Sequence, residues 1–288
     1  MQVTFLGTSA APSMPIPFCV CQACSDARRA AGKNLRKRSS IAINDDLLVD
    51  IGPDIATASF AHDVSLTDIS VCLLTHAHAD HFDPEFLMSR HEEYATVVAQ
   101  EMLLAGSSDV LRSVDEILGS RCGYGSVFAQ DTQRALKINL LTVEPFKTQV
   151  IGNYRFTGYP ANHGAEKGCL LYAIEQGQHA IFYGTDTSVL SEQVWEHLLL
   201  AGTQFDLLVL DHTYGIGFDV SPPDHLSSVD VIGHVDRFRR SGLLKNNATA
   251  YATHISHEGC PEHDELDEYA AAHGYRIAFD GLSLSFDA

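Results

Sequence analysis

Long apolar runs are missing from this chain. In 288 residues no stretch approaches the roughly 20 apolar residues that a membrane-spanning helix needs. The opening MQVTFLGTSA lacks the basic lead and apolar core of a secretory leader, so no membrane association is expected and the expected location is cytoplasmic. Basic residues are also scarce: 19 Lys and Arg stand against 37 Asp and Glu, a net charge of −18. Proteins that grip a phosphate backbone carry a basic face, which argues against nucleic acid as a partner but leaves room for a small anionic substrate. Repeats, low-complexity tracts and linkers are absent as well. A single domain over 1–288 is therefore expected, and 45% hydrophobic content suffices for its core.

Cysteine is present in an odd number, seven, and disulfides rarely persist in a reducing cytosol. Three of these residues, Cys19, Cys21 and Cys24, crowd into IPFCVCQACSDARR, and metal binding explains them better than pairing. The following run, ARRAAGKNLRKR, gathers Arg28, Arg29, Lys33, Arg36, Lys37 and Arg38. It reads either as a solvated surface or as a rim that attracts phosphate.

The chain opens with β-structure, VTFLG and then SIAINDDLLVDIG, which reads as two strands joined through Asp45 and Asp46. ISVCLL is a buried strand, and PEFLMSRHEEYA (84–95) has helical period with Pro84 at its first turn. Further strands are predicted at 138–143, 153–159, 169–175, 179–184, 206–211, 248–254 and 275–286, and helices at 191–201, 224–241 and 262–273. Strands early and strand–helix alternation later predict two sheets with helices outside them. The stretch 100–137 is the least legible; surface decoration, a lid and an oligomer contact that would make a homodimer are its readings.

THAHADH follows the buried strand and supplies His76, His78, Asp80 and His81. In extended chain His76 and His78 point to one side because side chains alternate with period two, so two imidazoles can meet one ion. Asp80 and His81 come where the strand gives way to a loop that can turn them toward a second ion. Imidazole and carboxylate suit zinc, and also manganese or iron. Buried polar groups at this density are costly unless paired or metal-bound.

The motif resembles HxHxDH of the metallo-β-lactamase fold superfamily. The resemblance implies an α/β fold, an αββα sandwich of two mixed sheets, and a two-metal site with three further ligands. YPANHGAE, IFYGTDTSVL and AYATHISHEG offer His163, Asp186 and His254 in the expected order. It further implies that His76, His78 and His163 hold one divalent metal, that Asp80, His81 and His254 hold the other, and that Asp186 bridges them. Two such ions can share a hydroxide and stabilise the oxygens of a displacement, which makes the expected reaction a hydrolysis. His225, in SPPDHLSSVDVIGH, is placed at a helix start, where it could protonate a leaving alkoxide or bind a phosphoryl oxygen. His212, in LDHTYG, reads as structural.

Three thiolates need a fourth ligand for a closed tetrahedral zinc site, and THISHEGCPEH offers His257, Cys260 and His263. GTSAAP, the CxCxxC run, RSS, THAHADH, THISH and FDG together are similar to the PhnP-type phosphodiesterases of bacterial phosphonate degradation. That likeness implies a structural zinc on Cys19, Cys21, Cys24 and His257, and catalytic roles for Asp80 and His225. It also implies a small cyclic or simple phosphodiester as substrate. A family that assists pyrroloquinoline quinone synthesis has a similar cysteine run but a degraded metal motif, unlike the intact THAHADH. The resemblance leaves 100–137 as a family-variable insertion. Competing expectations are a thioesterase or lactonase on the same fold, an RNA-processing nuclease, and a non-enzymatic protein that metal only stabilises.

Overall fold

The structure is a computed structural model and describes residues 1–97, 100–164, 167–218 and 223–286. One sheet contains β1 (Gln2–Gly7), β2 (Ser40–Ile43), β3 (Leu47–Val49), β4 (Val71–Leu73), β5 (Met102–Gly106) and β6 (Ile138–Thr142) in chain order. The other contains β7 (Thr148–Ile151), β8 (Tyr154–Pro160), β9 (Leu170–Gln176), β10 (His179–Gly184), β11 (Phe205–Asp211), β12 (Leu244–Thr253) and β13 (Arg276–Ile277). The last strand, β14 (Ser283–Ser285), returns to the first sheet and pairs with β1. Each sheet mixes parallel and antiparallel pairs.

Alternation along the strands creates the layers. In β11, Leu207 and Val209 enter a core shared by both sheets with Phe5, Val49, Leu73 and Tyr172. Leu208 and Leu210 face the opposite way, onto Trp195 of α5 (Glu192–Ala201), Phe238 of α6 (Ser228–Arg240) and Leu266 of α7 (His263–Ala272). Burial on both faces explains why FDLLVLD is a continuous apolar run rather than an alternating one. On the outer side of the first sheet, Leu48, Leu74 and Leu104 pack with Val110 and Val114 of α3 (Ser108–Asp115). The result is the expected αββα sandwich. No helix among the described residues is long and apolar enough to cross a membrane.

Several sequence expectations need correction. Residues 102–106 are not surface decoration but an interior strand between β4 and β6; the polar pair Gln100 and Glu101 before it hid a run whose Leu104 and Ala105 are fully buried. Residues 84–95 do not form an α-helix. Pro84–Arg90 is a 3₁₀ segment, whose three-residue period turns Pro84 and Leu87 inward. The helix expected over 224–241 begins at Ser228, because Ser227 and Asp230 form a reciprocal capping box there. The strand expected over 275–286 divides into β13 and β14, which join different sheets across a turn at Gly281, φ 87°. The solvated-surface reading of the basic run holds for Arg28, Arg29 and Lys33, which are exposed, but not for the rest of its contacts. Arg36 is buried, Arg38 grips Asp54 at 2.7 Å, and Arg28 donates to the carbonyls of Ile16, Pro17, Cys19 and Cys24.

Candidate metal centre

The THAHADH segment leaves β4 and places four of its side chains at the ends of the strands, where β10, β11 and β12 also terminate. Nε2 of His163 lies 3.1 Å from Nδ1 of His78, and ligand atoms of His76, His78 and His163 lie within 4.8 Å of one another. Asp80, His81, Asp186 and His254 form a second such group. Within it His81 Nε2 is 2.9 Å from Asp186 Oδ2, and His254 Nε2 is 3.2 Å from Asp186 Oδ1 and 3.4 Å from Asp80 Oδ2. Oδ1 of Asp186 is also 3.7 Å from His76 Nε2 and 3.9 Å from His163 Nε2, so this carboxylate stands between the two groups.

The far side of four of the imidazoles, those of His76, His81, His163 and His254, explains their orientation. Nδ1 of His81 donates to Asp50 at 2.7 Å. The Thr75 hydroxyl donates to Asp50, so His76 Nδ1 is the donor to Thr75 Oγ1 at 3.0 Å. His163 Nδ1 donates to the Asp224 carbonyl at 2.9 Å. His254 Nδ1 contacts Thr213 Oγ1 at 2.7 Å, a hydroxyl that itself donates to Asp211. Each bond puts the proton on Nδ1 and leaves an Nε2 lone pair facing the centre, the arrangement that metal-binding imidazoles adopt.

Three of the converging atoms, His76 Nε2, His81 Nε2 and Asp186 Oδ2, are shut off from water and have no hydrogen-bond partner. Buried acceptors aimed at one another are costly, and a divalent cation satisfies them together. The electrostatics agree. Burial alone would raise the pKa of Asp186 and Asp80, yet the surrounding imidazoles hold both carboxylates below their ordinary range. Burial alone would lower His81, yet Asp186, Asp80 and Asp50 push it well above 6.5. The donor set therefore fits two divalent cations. Asp50, Asp186 and His254 adopt left-handed backbone, with φ of 67°, 54° and 61°, a strained state for such residues that turns their side chains off the strand ends into the centre.

Two carboxylates that sequence reasoning missed organise these ligands. Asp50 orients His81 and accepts the Thr75 N–H at 2.8 Å. Asp211, fully buried, accepts from the N–H groups of Asp186, Thr213 and Leu226 at 3.0, 3.0 and 3.1 Å and from His225 Nδ1 at 2.9 Å. The signal was available for Asp211, since it ends an apolar strand as Asp186 follows one. His225 sits in the loop before α6, its ring 5.2 Å from His254 and 4.9 Å from His163. Burial would lower its pKa, but Asp211 outweighs that and raises it to about 9. His212, one residue along β11's exit from Asp211, faces away and meets the Tyr275 hydroxyl at 3.0 Å.

The cysteines converge separately. Sγ of Cys19, Cys21 and Cys24 lies 3.5, 3.4 and 3.6 Å from His257 Nδ1. Tetrahedral zinc bonds to sulfur and nitrogen put such atoms about 3.6 Å apart, so this set fits a closed site. Cys21 also caps α1 (Gln22–Ala30), and its N–H leads in lowering Cys19 to about 7. Cys260 and His263, the other candidates for a fourth ligand, lie elsewhere: Cys260 beside His212 and His263 on Arg36.

A two-sheet sandwich with His and Asp ligands converging at its strand ends defines a metal-dependent hydrolase. The chain belongs to the β-lactamase superfamily: the family model described as Beta-lactamase superfamily domain matches residues 46–255. Among solved structures it is similar to a diphosphatase from the PhnP family, at 21% identity and TM-score 0.72, with 99% of this chain and 98% of that one covered. Zn(2+)-bound PqqB from Methylobacterium extorquens aligns at 19% identity and TM-score 0.69, covering 99% and 100%. Human tRNase Z, short form, aligns at 15% identity and TM-score 0.63 over the whole of both chains. At these identities the likenesses establish the fold. No curated protein matches the chain.

Proposed function

We propose that this chain is a dinuclear metal-dependent phosphodiesterase acting on a small cyclic or simple phosphodiester. His76, His78 and His163 would hold one divalent ion and Asp80, His81 and His254 the other, with Asp186 shared. Zinc, manganese or iron suits these nitrogen and oxygen donors. The observation that carries the reading is the His225–Asp211 pair at the edge of the ligand set. Such ions, when bound, supply Lewis acidity and a water acidic enough to ionise near neutral pH. Asp211 fixes the His225 proton on Nδ1 and stabilises an imidazolium, leaving Nε2 toward the cavity that His225 lines. From there His225 can donate a proton to a departing alkoxide or a hydrogen bond to a phosphoryl oxygen. A thioester expels a thiolate and needs less help at the leaving group, which is why the pair favours the phosphodiester over it.

Cys19, Cys21, Cys24 and His257 would hold a structural zinc. This ion would tie the N-terminal loop to the segment that also carries His254. The similarity to a PhnP-family structure supports the same reading, and a place in phosphonate breakdown is part of the proposal.

The test is turnover of bis(p-nitrophenyl) phosphate by protein loaded with zinc or manganese. Asp80→Ala is expected to abolish it, and His225→Ala to lower kcat by about 100-fold or more on a diester with an alkoxide leaving group such as uridine 2′,3′-cyclic phosphate, and by much less on the nitrophenyl ester, whose leaving group departs without a proton. Loaded, folded protein that hydrolyses lactones or thioesters but not this diester would overturn the proposal.

A further inference from the structure

One short stretch after β12 carries ligands of both metal sites. His254 belongs to the catalytic groups and His257 to the cysteine group, yet both line the same cavity of about 270 Å³. The Nδ1 edge of the His257 ring is taken by the three thiols. Nε2 stands on the other edge. It has no hydrogen-bond partner among the described residues and is not one of the polar atoms shut off from water, so this edge is open to the cavity.

The ring is held in the same frame as the catalytic ligands. Ser256 Oγ donates to the Thr213 carbonyl at 2.6 Å and accepts the Glu258 N–H at 2.9 Å, and the Thr213 hydroxyl contacts His254. Ile255 pairs with the N-terminal loop through the Thr8 carbonyl and the Ala10 N–H, at 2.9 and 3.1 Å. Arg28 ties the carbonyls of Ile16 and Cys19 together, which braces the cysteines against the cavity wall that Ile16 also lines. A zinc ion on Nδ1 would take that lone pair and leave the ring proton on Nε2. The cavity edge of His257 is then a donor with a fixed tautomer, placed before any ligand arrives.

The phosphoryl end of a substrate has other partners. His225 packs its ring 4.9 Å from His163 and 5.2 Å from His254, beside the catalytic ligands. His257 belongs to neither catalytic group and shares its wall with Ser13 and Ile16. The cavity is smaller than the roughly 300 to 1,000 Å³ of pockets for drug-sized ligands, so a phosphate ester the size of a sugar phosphate reaches from the ligands to this wall.

We infer that His257 binds substrate as well as zinc: its Nε2–H donates to an oxygen of the alcohol portion, and the zinc site fixes the proton there. The inference rests on the phosphodiesterase reading and adds to it a contact outside the catalytic ligands.

His257→Cys tests it, because four thiolates still make a closed zinc site while the ring donor is gone. Native and variant chains, matched in zinc content by metal analysis, are titrated calorimetrically with uridine 3′-phosphate and with inorganic phosphate. The variant is expected to bind the nucleotide about fivefold more weakly, the weight of one neutral hydrogen bond, and inorganic phosphate within about twofold of the native chain. For uridine 2′,3′-cyclic phosphate the same factor should appear in KM. A zinc-replete variant that binds the nucleotide as the native chain does, or that loses equal affinity for inorganic phosphate, would overturn the inference. The native chain supplies a second readout, which decides the matter even where the variant sheds its zinc. In proton–nitrogen NMR of the zinc-loaded protein, the Nε2 proton of His257 should shift downfield and exchange more slowly with water when uridine 3′-phosphate is added; an unmoved signal, or no binding of the nucleotide, counts against the contact. Bis(p-nitrophenyl) phosphate is run alongside. If it is not turned over, the phosphodiesterase reading fails, whereas the affinity ratio and the proton signal still decide the role of His257.

Discussion

Replacing Asp211 by Asn exchanges one oxygen for NH₂ and should cost both stability and catalysis. Every group around this carboxylate is a donor: Oδ2 receives Asp186 N–H and His225 Nδ1, and Oδ1 receives Thr213 N–H and Leu226 N–H. Whichever way the asparagine amide is flipped, its NH₂ faces two donors and two hydrogen bonds are lost. Bonds to a charged acceptor contribute about 1.5 to 3 kcal/mol each, so Asp211→Asn should destabilise by roughly 3 to 6 kcal/mol, a large share of the about 5 to 15 kcal/mol typical of a folded domain. The catalytic loss has a separate cause. Without the negative charge, His225 loses the partner that raises its pKa to about 9, and its proton donor form should be scarce at neutral pH. Urea unfolding gives the first quantity. The pH profile of kcat for uridine 2′,3′-cyclic phosphate, whose alkoxide leaving group needs a proton, gives the second, with the alkaline limb expected to move to lower pH. A variant that unfolds within about 0.5 kcal/mol of the native chain and keeps its pH profile would refute the account of Asp211 as the common anchor.

Stability should also depend on pH through His263, which accepts from the buried Arg36 guanidinium at 2.9 Å and must be neutral to do so. Burial, then the charges of Arg36 and Lys33, lowers its pKa from 6.5 to about 4. The unfolded chain therefore binds a proton that the folded chain refuses, and stability falls by up to about 3 kcal/mol as pH drops from about 6.5 to about 4. His263→Gln, which can still accept from Arg36, should flatten that part of the urea-midpoint profile; an unchanged slope would count against it. Cys24→Ser should reduce zinc per chain by one and lower the melting temperature, read by metal analysis and calorimetry, whereas unaltered metal content would remove the structural site. Gly215→Ala would put a Cβ 2.0 Å from the Gly259 carbonyl oxygen. That contact carries the pairing of Gly215 with Glu258 and of Ile216 with Gly259, so a loss of about 3 kcal/mol or more in urea unfolding is expected. Native-like stability would show that the two loops part freely.

Local pattern carried much of this molecule into its sequence. Alternating burial and apolar runs marked most strands, with β10 at 179–184 as expected, because the core faces of a sheet recur every two residues. THAHADH exposed its chemistry for a related reason: four ligand-type side chains within six positions have no cheaper explanation than a shared cation. Single residues such as His163, Asp186 and His254 were legible only as a series that matched a known order.

What the sequence could not decide is what distance along the chain conceals. Asp50 reaches His81 across 31 positions, and Asp211 serves Asp186, 25 residues before it, and His225, 14 after; each looked like an ordinary acid beside a strand. Spacing left the fourth partner of the cysteines open among three residues and only the family likeness pointed to His257, which folding sets against them from 233 to 238 positions away. Likewise β5 became an interior strand only because two neighbouring strands were there to pair with it. Sequence determined which residues are fit to bind cations and which segments are fit to pair, since both follow from side-chain chemistry and short-range period. Tertiary structure alone decided which of them meet, because the hydrogen bonds that orient the ligands and the charges that tune them exist only once strands remote in the chain end at the same edge of the sandwich.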